Sequence, residues 1–290
     1  MKMMVTGSSG FVGSRLCVLL DKTNHEVIKI SRTIDNSSKH EFICDLENSI
    51  LDQNMLTGID TVFHLAGYAH DLSITDKVKD KYVNLNIKAT KNLALQASEM
   101  GVKTFVFISS VKAGGGNNHN IYGETKRAAE LELLKIAKTT AMKVCIVRPA
   151  LVYGPNVKGN LLSMHNAIQT GWFPPLPNIP NRRSMIHVDD LAYAILLVGQ
   201  VGVNKETYIV TDGKSYSTTE IYETFLKVLQ KPLPLLRLPL SVLKLSRLIP
   251  GDFNNKISKL LSNEIYSSSK IEALGFSAQL EFGNINETLF

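Results

Sequence analysis

The segment Met3-Met4-Val5-Thr6-Gly7-Ser8-Ser9-Gly10-Phe11-Val12-Gly13 limits what this chain can fold into more than any other. An apolar strand enters a Gly/Ser turn. The turn opens a helix from Phe11 to Leu20, apolar at Phe11, Val12, Leu16, Val18, Leu19 and Leu20. Glycine lets the backbone turn tightly and come close to a bound group, while the helix N-terminus offers N–H donors and positive dipole to an anion. Strand, turn and helix in that order belong in a parallel sheet, where every strand needs a crossover.

The first half of the chain repeats this theme. Apolar strands are predicted near residues 2–6, 26–31, 41–45, 61–66, 103–109 and 143–149, with long helices over Tyr82–Met100 and Tyr122–Thr139. Near-continuous apolar strands alternating with helices predict an α/β fold of Rossmann type, a doubly wound parallel sheet covered on both faces. Residues 1–154 are the expected dinucleotide-binding domain. Beyond Pro155 the texture changes to helices over Asn160–Thr170 and Asp189–Gln200, a strand over Glu206–Thr211 and a capping box at Ser217-Thr-Thr-Glu220. Residues 155–290 are expected to form mainly a smaller α/β substrate-binding lobe, with 189–212 free to pack back on the large sheet.

The glycine spacing is G-x-x-G-x-x-G, not the G-x-G-x-x-G of the commonest dinucleotide fold, and no Lys-Ser or Lys-Thr follows to make a P-loop. Gly7, Ser9, Gly10, Phe11, Val12 and Gly13 are the candidates for holding a nucleotide pyrophosphate. The second strand ends at Ser31-Arg32, where an NAD-binding chain usually places a carboxylate for the ribose 2′-hydroxyl. A guanidinium accommodates a 2′-phosphate, so Ser31 and Arg32 favour NADP(H), with NAD(H) possible. An exposed loop arginine with no role is the alternative.

Ser109-Ser110 at a strand end and Tyr122-Gly-Glu-Thr-Lys126 at a helix start supply the candidate chemistry. Four residues of helix put the phenol and the ammonium on one face, about one turn apart. A nearby cation is expected to lower the tyrosine pKa from ~10 towards neutrality. The product is a proton carrier for oxidising a carbinol or reducing a ketone. Tyr and Lys at this spacing also arise by chance on amphipathic helices; the glycine turn in the same domain gives the pair its weight.

Together these pieces resemble an extended short-chain dehydrogenase/reductase of the NAD-dependent epimerase/dehydratase family. The matching segments run in family order: Thr6-Gly7 to Gly13; Cys44-Asp45-Leu46; His64-Leu65-Ala66-Gly67; Asn86 to Thr90; Ser109-Ser110; Tyr122 to Lys126; Arg148-Pro149 to Pro155; and Arg183 to Leu191. The resemblance implies that Asp45 and Leu46 lie beside the adenine and that Leu65, Ala66 and Gly67 line the cofactor groove, with Asn86 and Pro149 adding to it. It also implies that Ser110 binds the substrate oxygen, Tyr122 is the acid/base, and Lys126 holds the nicotinamide ribose and tunes Tyr122. His64 and His187 sit inside strand-end motifs and are read as structural; no Cys/His spacing suggests a metal.

Within the family the substrate is commonly a nucleoside-diphosphate sugar. Gly154–Met164, Asn181–Ser184 and Val210–Gly213 resemble a bacterial subgroup of UDP-hexose 4-epimerase-like proteins and UDP-4-keto-6-deoxy-N-acetylhexosamine reductases of surface polysaccharide synthesis. Asn160 and Arg182 or Arg183 are the candidates for uridine and diphosphate; loop polar residues with no ligand are the alternative. Only eleven residues separate Ser110 from Tyr122, including Gly114-Gly115-Gly116-Asn117-Asn118, where extended members usually carry a longer insertion. An epimerase returns its hydride within one turnover and gains nothing from NADPH, whereas a reductase does. The expected function is therefore reduction of a UDP-4-keto sugar, with a UDP-hexose 4-epimerase and a non-catalytic NADP redox sensor as alternatives. Related enzymes pair two long helices per subunit, which implies a homodimer through Tyr82–Met100 and Tyr122–Thr139.

Composition narrows the rest. The 290 residues are 44% hydrophobic and 20% charged, with mean hydropathy +0.02, as in an ordinary globular chain. A net charge of +6 suits a polyanionic ligand, but no basic run interleaves with aromatics, so nucleic acid is not expected. The odd count of cysteines, Cys17, Cys44 and Cys145, all in apolar surroundings, predicts reduced thiols in a cytoplasm. The chain enters its nucleotide-binding strand without a visible signal peptide. Its longest apolar stretch, Leu191–Val203, is too short to span a bilayer. Leu235–Ile249, broken by Arg237, Pro239, Lys244 and Arg247, is expected to be a buried amphipathic helix, with a membrane-surface segment as the alternative. The sole tryptophan, Trp172, is expected in the core.

Overall fold

The computed structural model describes residues 1–33, 41–69, 75–115, 120–245 and 252–286. It divides into two compact units, one of Met1–Ala150, Val188–Val210 and Ser268–Ser277, the other of Leu151–His187, Thr211–Ser267 and Ala278–Phe290. In chain order the first stretch holds β1 (Lys2–Thr6), α1 (Phe11–Leu20), β2 (Glu26–Ser31), β3 (Glu41–Ile43), β4 (Thr61–His64), α2 (Asp76–Lys81), a π-helix (Tyr82–Ala89), α3 (Thr90–Glu99), β5 (Thr104–Ile108), α4 (Ile121–Thr139) and β6 (Lys143–Pro149). Next come β7 (Leu151–Tyr153), α5 (Asn160–Gln169), β8 (Arg183–His187), α6 (Val188–Val201) and β9 (Thr207–Val210). The chain continues through β10 (Ser215–Tyr216), α7 (Thr218–Val228), α8 (Leu240–Leu245), α9 (Asp252–Leu261) and α10 (Ser269–Glu272).

The first unit is built on a seven-stranded sheet in the order β3-β2-β1-β4-β5-β6-β9. Every pair is parallel, so the fold class is the Rossmann-type α/β fold that the alternation predicts. The chain runs outwards from β1 to β3 and resumes at β4 on β1's other side. The switch point between β1 and β4 is where doubly wound sheets bind ligands. Register Thr6↔His64 brings the two strand ends level there. Leu93, Ala94 and Ala97 of α3 and Ala129, Leu133, Ile136 and Ala137 of α4 pack with Met4, Val62, Phe105 and Phe107 in one core, the helical residues spaced three or four apart as a buried stripe requires. Gly199 of α6 lies so close to the sheet that a Cβ would sit 2.6 Å from the Phe63 ring. Arg15 of α1 holds Asp189 of α6 through both carboxylate oxygens, at 2.5 and 2.7 Å.

The one helix predicted over Tyr82–Met100 begins as π-helix. Its buried positions are Tyr82, Leu85, Asn86 and Ala89. The side chain of Asn86 is held by groups distant in sequence, so the wide turn has no local signal.

The second unit carries a three-stranded sheet, β10-β8-β7, with β7 and β8 parallel and β10 antiparallel to β8. The predicted capping box starts α7: Ser217 Oγ accepts from Glu220 N–H at 3.0 Å, and the Glu220 carboxylate accepts from Ser217 N–H at 2.6 Å. Tyr153, Phe225 and Phe282 form its aromatic centre, with Phe282 edge-on to both others at 5.0 and 5.6 Å.

Two expectations fail in this unit. Trp172 is 86% exposed; its turn is anchored instead by Leu176 and Ile179, which are buried. Leu235 and Leu236 are also in solvent. Pro232, Pro234 and Pro239 withhold the N–H groups that a helix would need, so the helix forms only over Leu240–Leu245. Residues 246–250 lie outside the described residues. Among the described residues no helix is long and apolar enough to cross a membrane, and no group of three or more His, Cys, Asp or Glu could hold a metal ion. All three cysteines are free thiols.

Candidate active site

Parallel strands put the carboxyl ends of β1, β2, β4, β5 and β6 along one edge of the sheet, and the predicted nucleotide residues follow those ends. Gly7 turns out of β1 with φ +72°, and a Cβ on it would meet Ala66 N at 2.7 Å. A Cβ on Gly13 would lie 2.1 Å from the Gly7 carbonyl oxygen, so only glycine allows α1 to start this close. Gly7 N–H donates to Ile30 O, Gly10 N–H to Gly7 O and Leu65 N–H to Thr6 O, at 2.9, 2.9 and 3.1 Å. Gly10 provides no side-chain cap for α1. Ser9 is exposed, and Phe11 and Val12 are half-buried. Ser8, which the sequence did not single out, has a buried hydroxyl with no hydrogen-bond partner among the described residues.

At the end of β2, Ser31 is buried and its hydroxyl lies against the Thr33 carbonyl and the Glu41 carboxylate. Arg32 is exposed, with no ion pair among the described residues. The pairing of β3 with β2 brings Glu41 opposite Lys29; sequence reasoning missed this carboxylate because only the strand register places it. Asp45 accepts from Glu47 N–H at 3.2 Å and from the Asn48 amide at 2.7 Å, fixing the turn that carries the half-buried Leu46.

Ser110 follows β5, and its Oγ accepts from Lys112 N–H at 3.3 Å. Asn120 caps α4 by accepting from Gly123 N–H at 2.7 Å, which sets Tyr122 and Lys126 in the first two turns. Burial pushes the Tyr122 phenol up to about 12, while a hydrogen bond with Ser110 pulls the other way. The expected fall towards neutrality is not found: desolvation outweighs the hydrogen bond with Ser110, and Lys126 adds no resolved lowering. Lys126 Nζ donates to Ile108 O at 2.8 Å and stands 4.6 Å over the Phe107 ring. Burial pulls Lys126 down to about 8, with Glu130 opposing.

Gly67 completes this wall, since a Cβ there would lie 3.1 Å from both Lys126 Nζ and Asn86 Oδ1. Asn86 is wholly buried and spends its amide on the chain: it accepts from Tyr68 N–H at 2.7 Å and donates to Tyr68 O and Thr125 Oγ1, both at 3.1 Å. It thereby ties the Gly67–Tyr68 turn to α4. Pro149 ends β6, buried beside β9. Glu130, one turn beyond Lys126, is wholly buried; it accepts from Ser109 Oγ at 2.6 Å and from Arg148 at 2.7 and 2.5 Å. His64 is wholly buried between Thr6 and Thr90 hydroxyls at 2.7 and 2.9 Å. Burial and then the Lys126 charge hold it down at about 3, a neutral ring that joins β1, β4 and α3.

The three residues proposed from sequence for the uridine and diphosphate lie in the second unit. Asn160 is exposed at the first residue of α5. Arg182 pairs with Glu220 at 2.8 Å on the surface. Arg183 is half-buried and donates from Nη2 to Ser262 Oγ at 3.1 Å. Its Nε is buried with no partner among the described residues, and burial lowers its pKa against the charge of Glu264.

Comparison with known proteins now decides the family. Residues 3–211 match the model described as the NAD dependent epimerase/dehydratase family. The chain belongs to that family. It is 31% identical over 264 residues to the UDP-glucose 4-epimerase of Vibrio cholerae, covering 83% of this chain and 80% of that one. Its fold is shared with the UDP-glucuronic acid 4-epimerase of Bacillus cereus in complex with NAD, at TM-score 0.80 and 20% identity over 100% of this chain and 97% of that one. It is shared too with RMD of Pseudomonas aeruginosa complexed with NADPH, at TM-score 0.72 and 20% identity over 98% and 96%.

A member of the epimerase/dehydratase family is an enzyme that works with a nicotinamide dinucleotide, and the chain's own atoms fit one. Gly7 and Gly13 are closed to any Cβ, α1 has no side-chain cap, and the Ser8 hydroxyl is buried without a partner among the described residues. Backbone donors, a helix dipole and a lone hydroxyl together suit a pyrophosphate.

Proposed function

We propose that this epimerase/dehydratase-family enzyme carries out redox chemistry at a sugar carbon of a UDP-sugar, reducing a UDP-4-keto-6-deoxy-(N-acetyl)hexosamine. The observation that carries it is the convergence of Ser110, Tyr122 and Lys126 at the end of β5 and the start of α4. A bound nicotinamide supplies the hydride. Ser110 Oγ orients the ketone oxygen, and Tyr122 donates its phenolic proton to that oxygen as the carbinol forms. Held at about 12, Tyr122 is protonated at neutral pH, the form that reduction consumes. The Lys126 ammonium, fixed against Ile108 O, would hold the nicotinamide ribose.

Arg32 supports NADP(H): an exposed guanidinium at the end of β2 can pair with a 2′-phosphate. Glu41, beside Ser31, favours a second reading, since a carboxylate there suits a ribose 2′-hydroxyl. With NAD held through the turnover, the same three catalytic residues serve a 4-epimerase, the activity named for the Vibrio cholerae relative.

Calorimetric titration with NADPH and NADH, followed by addition of a UDP-4-keto sugar or a UDP-hexose, separates the readings. NADPH is expected to bind roughly ten- to a hundred-fold more tightly, a preference that Arg32→Ala erases while NADH affinity is kept. Stoichiometric NADPH consumption with the keto sugar means reductase; interconversion of UDP-hexoses with no net cofactor change means epimerase. Cofactor binding with neither reaction means a redox sensor. Of the two candidate arginines we favour Arg183 for the diphosphate, because its buried, unpartnered Nε is the donor that an anion would satisfy. The proposed homodimer is supported by Leu95 on α3 and Leu131 on α4, exposed at 38% and 45%. Light scattering should give twice the chain mass, and Leu131→Glu should return the monomer.

A further inference from the structure

The second unit leaves a run of leucines in water. Leu235 is fully exposed, Leu236 85% and Leu233 56% exposed, and Leu238 and Val242 extend the run. Leu238 N–H donates to Pro175 O at 3.4 Å, which places this segment beside the Gly171–Pro177 turn and its exposed Trp172. A contiguous apolar surface of this kind marks an interaction site.

Local chemistry selects the partner. Pro232, Pro234 and Pro239 lack N–H groups, so the segment is a poor edge for strand addition by another protein. Leu235 and Leu236 stand in solvent, while Leu233 borders a cavity, beside Glu223, Lys227 and Lys231, so the exposed leucines suit entry into a soft apolar layer. Charge points the same way: from Lys227 to Gly251 the sequence has Lys227, Lys231, Arg237, Lys244 and Arg247 and no Asp or Glu. The neighbouring acids Glu223 and Glu220 pair with Arg237 at 2.5 Å and Arg182 at 2.8 Å, which leaves Lys227, Lys231, Lys244 and Arg247 as the segment's excess positive charge. Leucines flanked by cations and one tryptophan are the composition of a segment lying at a lipid–water boundary. We propose that Leu233–Val242, with Trp172, docks this protein on an anionic lipid bilayer. The leucines enter the acyl layer and the cations stay among the headgroups; this surface does not depend on which sugar reaction the enzyme performs.

Trp172 is the chain's one tryptophan, so its fluorescence reports on this surface alone. Vesicles of phosphatidylglycerol and phosphatidylethanolamine should shift its emission to the blue and sediment the protein, whereas phosphatidylcholine vesicles should do much less. The double variant Leu235→Glu/Leu236→Glu should cut the bound fraction roughly tenfold or more. Both leucines are in water, so its circular dichroism should match wild type. No shift and no sedimentation of the wild-type chain would overturn the proposal, as would equal binding by the variant. A blue shift that grows with protein concentration without vesicles, and vanishes in the variant, would also overturn it, assigning the surface to a second copy of the chain.

Discussion

The candidate cofactor edge of the first unit and the anion-binding candidates of the second would meet one electrostatic problem with different materials. At the sheet edge the backbone is the candidate for recognition: Gly7 and Gly13 exclude side chains, and no side chain caps the start of α1. In the second unit it falls to Arg182 and Arg183, one spent on Glu220 and the other half-buried with an unpartnered Nε. A backbone cradle is set by where glycine must stand. A side-chain site depends on which partners tertiary packing leaves over.

The largest test removes the proton from the first region. Tyr122→Phe keeps the ring and should lower turnover by on the order of 10²–10⁴ while cofactor affinity stays within a few-fold. Turnover within a few-fold of wild type would remove Tyr122 from the chemistry and leave the edge a binding surface only.

Next, the two arginines of the second unit should differ. Arg183→Met is expected to raise KM for the sugar nucleotide roughly ten- to a hundred-fold, the worth of a charge-assisted hydrogen bond. Arg182→Ala should change KM little and stability by less than ~1 kcal/mol, because it breaks only a surface pair. Equal KM effects would show that burial does not distinguish the two.

The smallest effect concerns the cost of the first region's buried cation. Lys126 is held at about 8, below its ordinary 10.5. Below pH 8 the folded state therefore carries a protonated amine that burial disfavours, and this cost disappears as pH rises from 8 to 10.5. Lys126→Met should stabilise the fold at pH 7 by on the order of 1–2 kcal/mol, net of the lost bond to Ile108 O, while weakening cofactor binding and turnover. The gain should fade by pH 10. Thermal melts at the two pH values check it, and a lower Tm for the variant at pH 7 would mean that Glu130 needs this charge.

Much of the fold was legible because it rests on short-range chemistry. The glycine turn, the strand alternation and the Ser217–Glu220 capping box each depend on a few consecutive residues, and each stands where the pattern put it. The same holds for Ser110, Tyr122 and Lys126, which a strand end and an Asn120-capped helix bring together. What went unread rests on distant groups. Glu41 meets Ser31 only through the register of β3 on β2. Glu130 gains its role only when β6 delivers Arg148 and β5 delivers Ser109. The exposure of Trp172 and Leu235 also escaped, because hydrophobicity states what burial would gain, not whether a proline-punctuated segment has a core within reach.

By itself, then, the sequence determined the parallel sheet, the glycine turn and the spacing of Tyr122 and Lys126, since backbone sterics and helical periodicity act within a few residues. Tertiary structure alone decided the protonation of the site. Whether Tyr122 is a phenol and how strained the Lys126 ammonium is depend on the water that packing removes, and no local pattern carries that quantity.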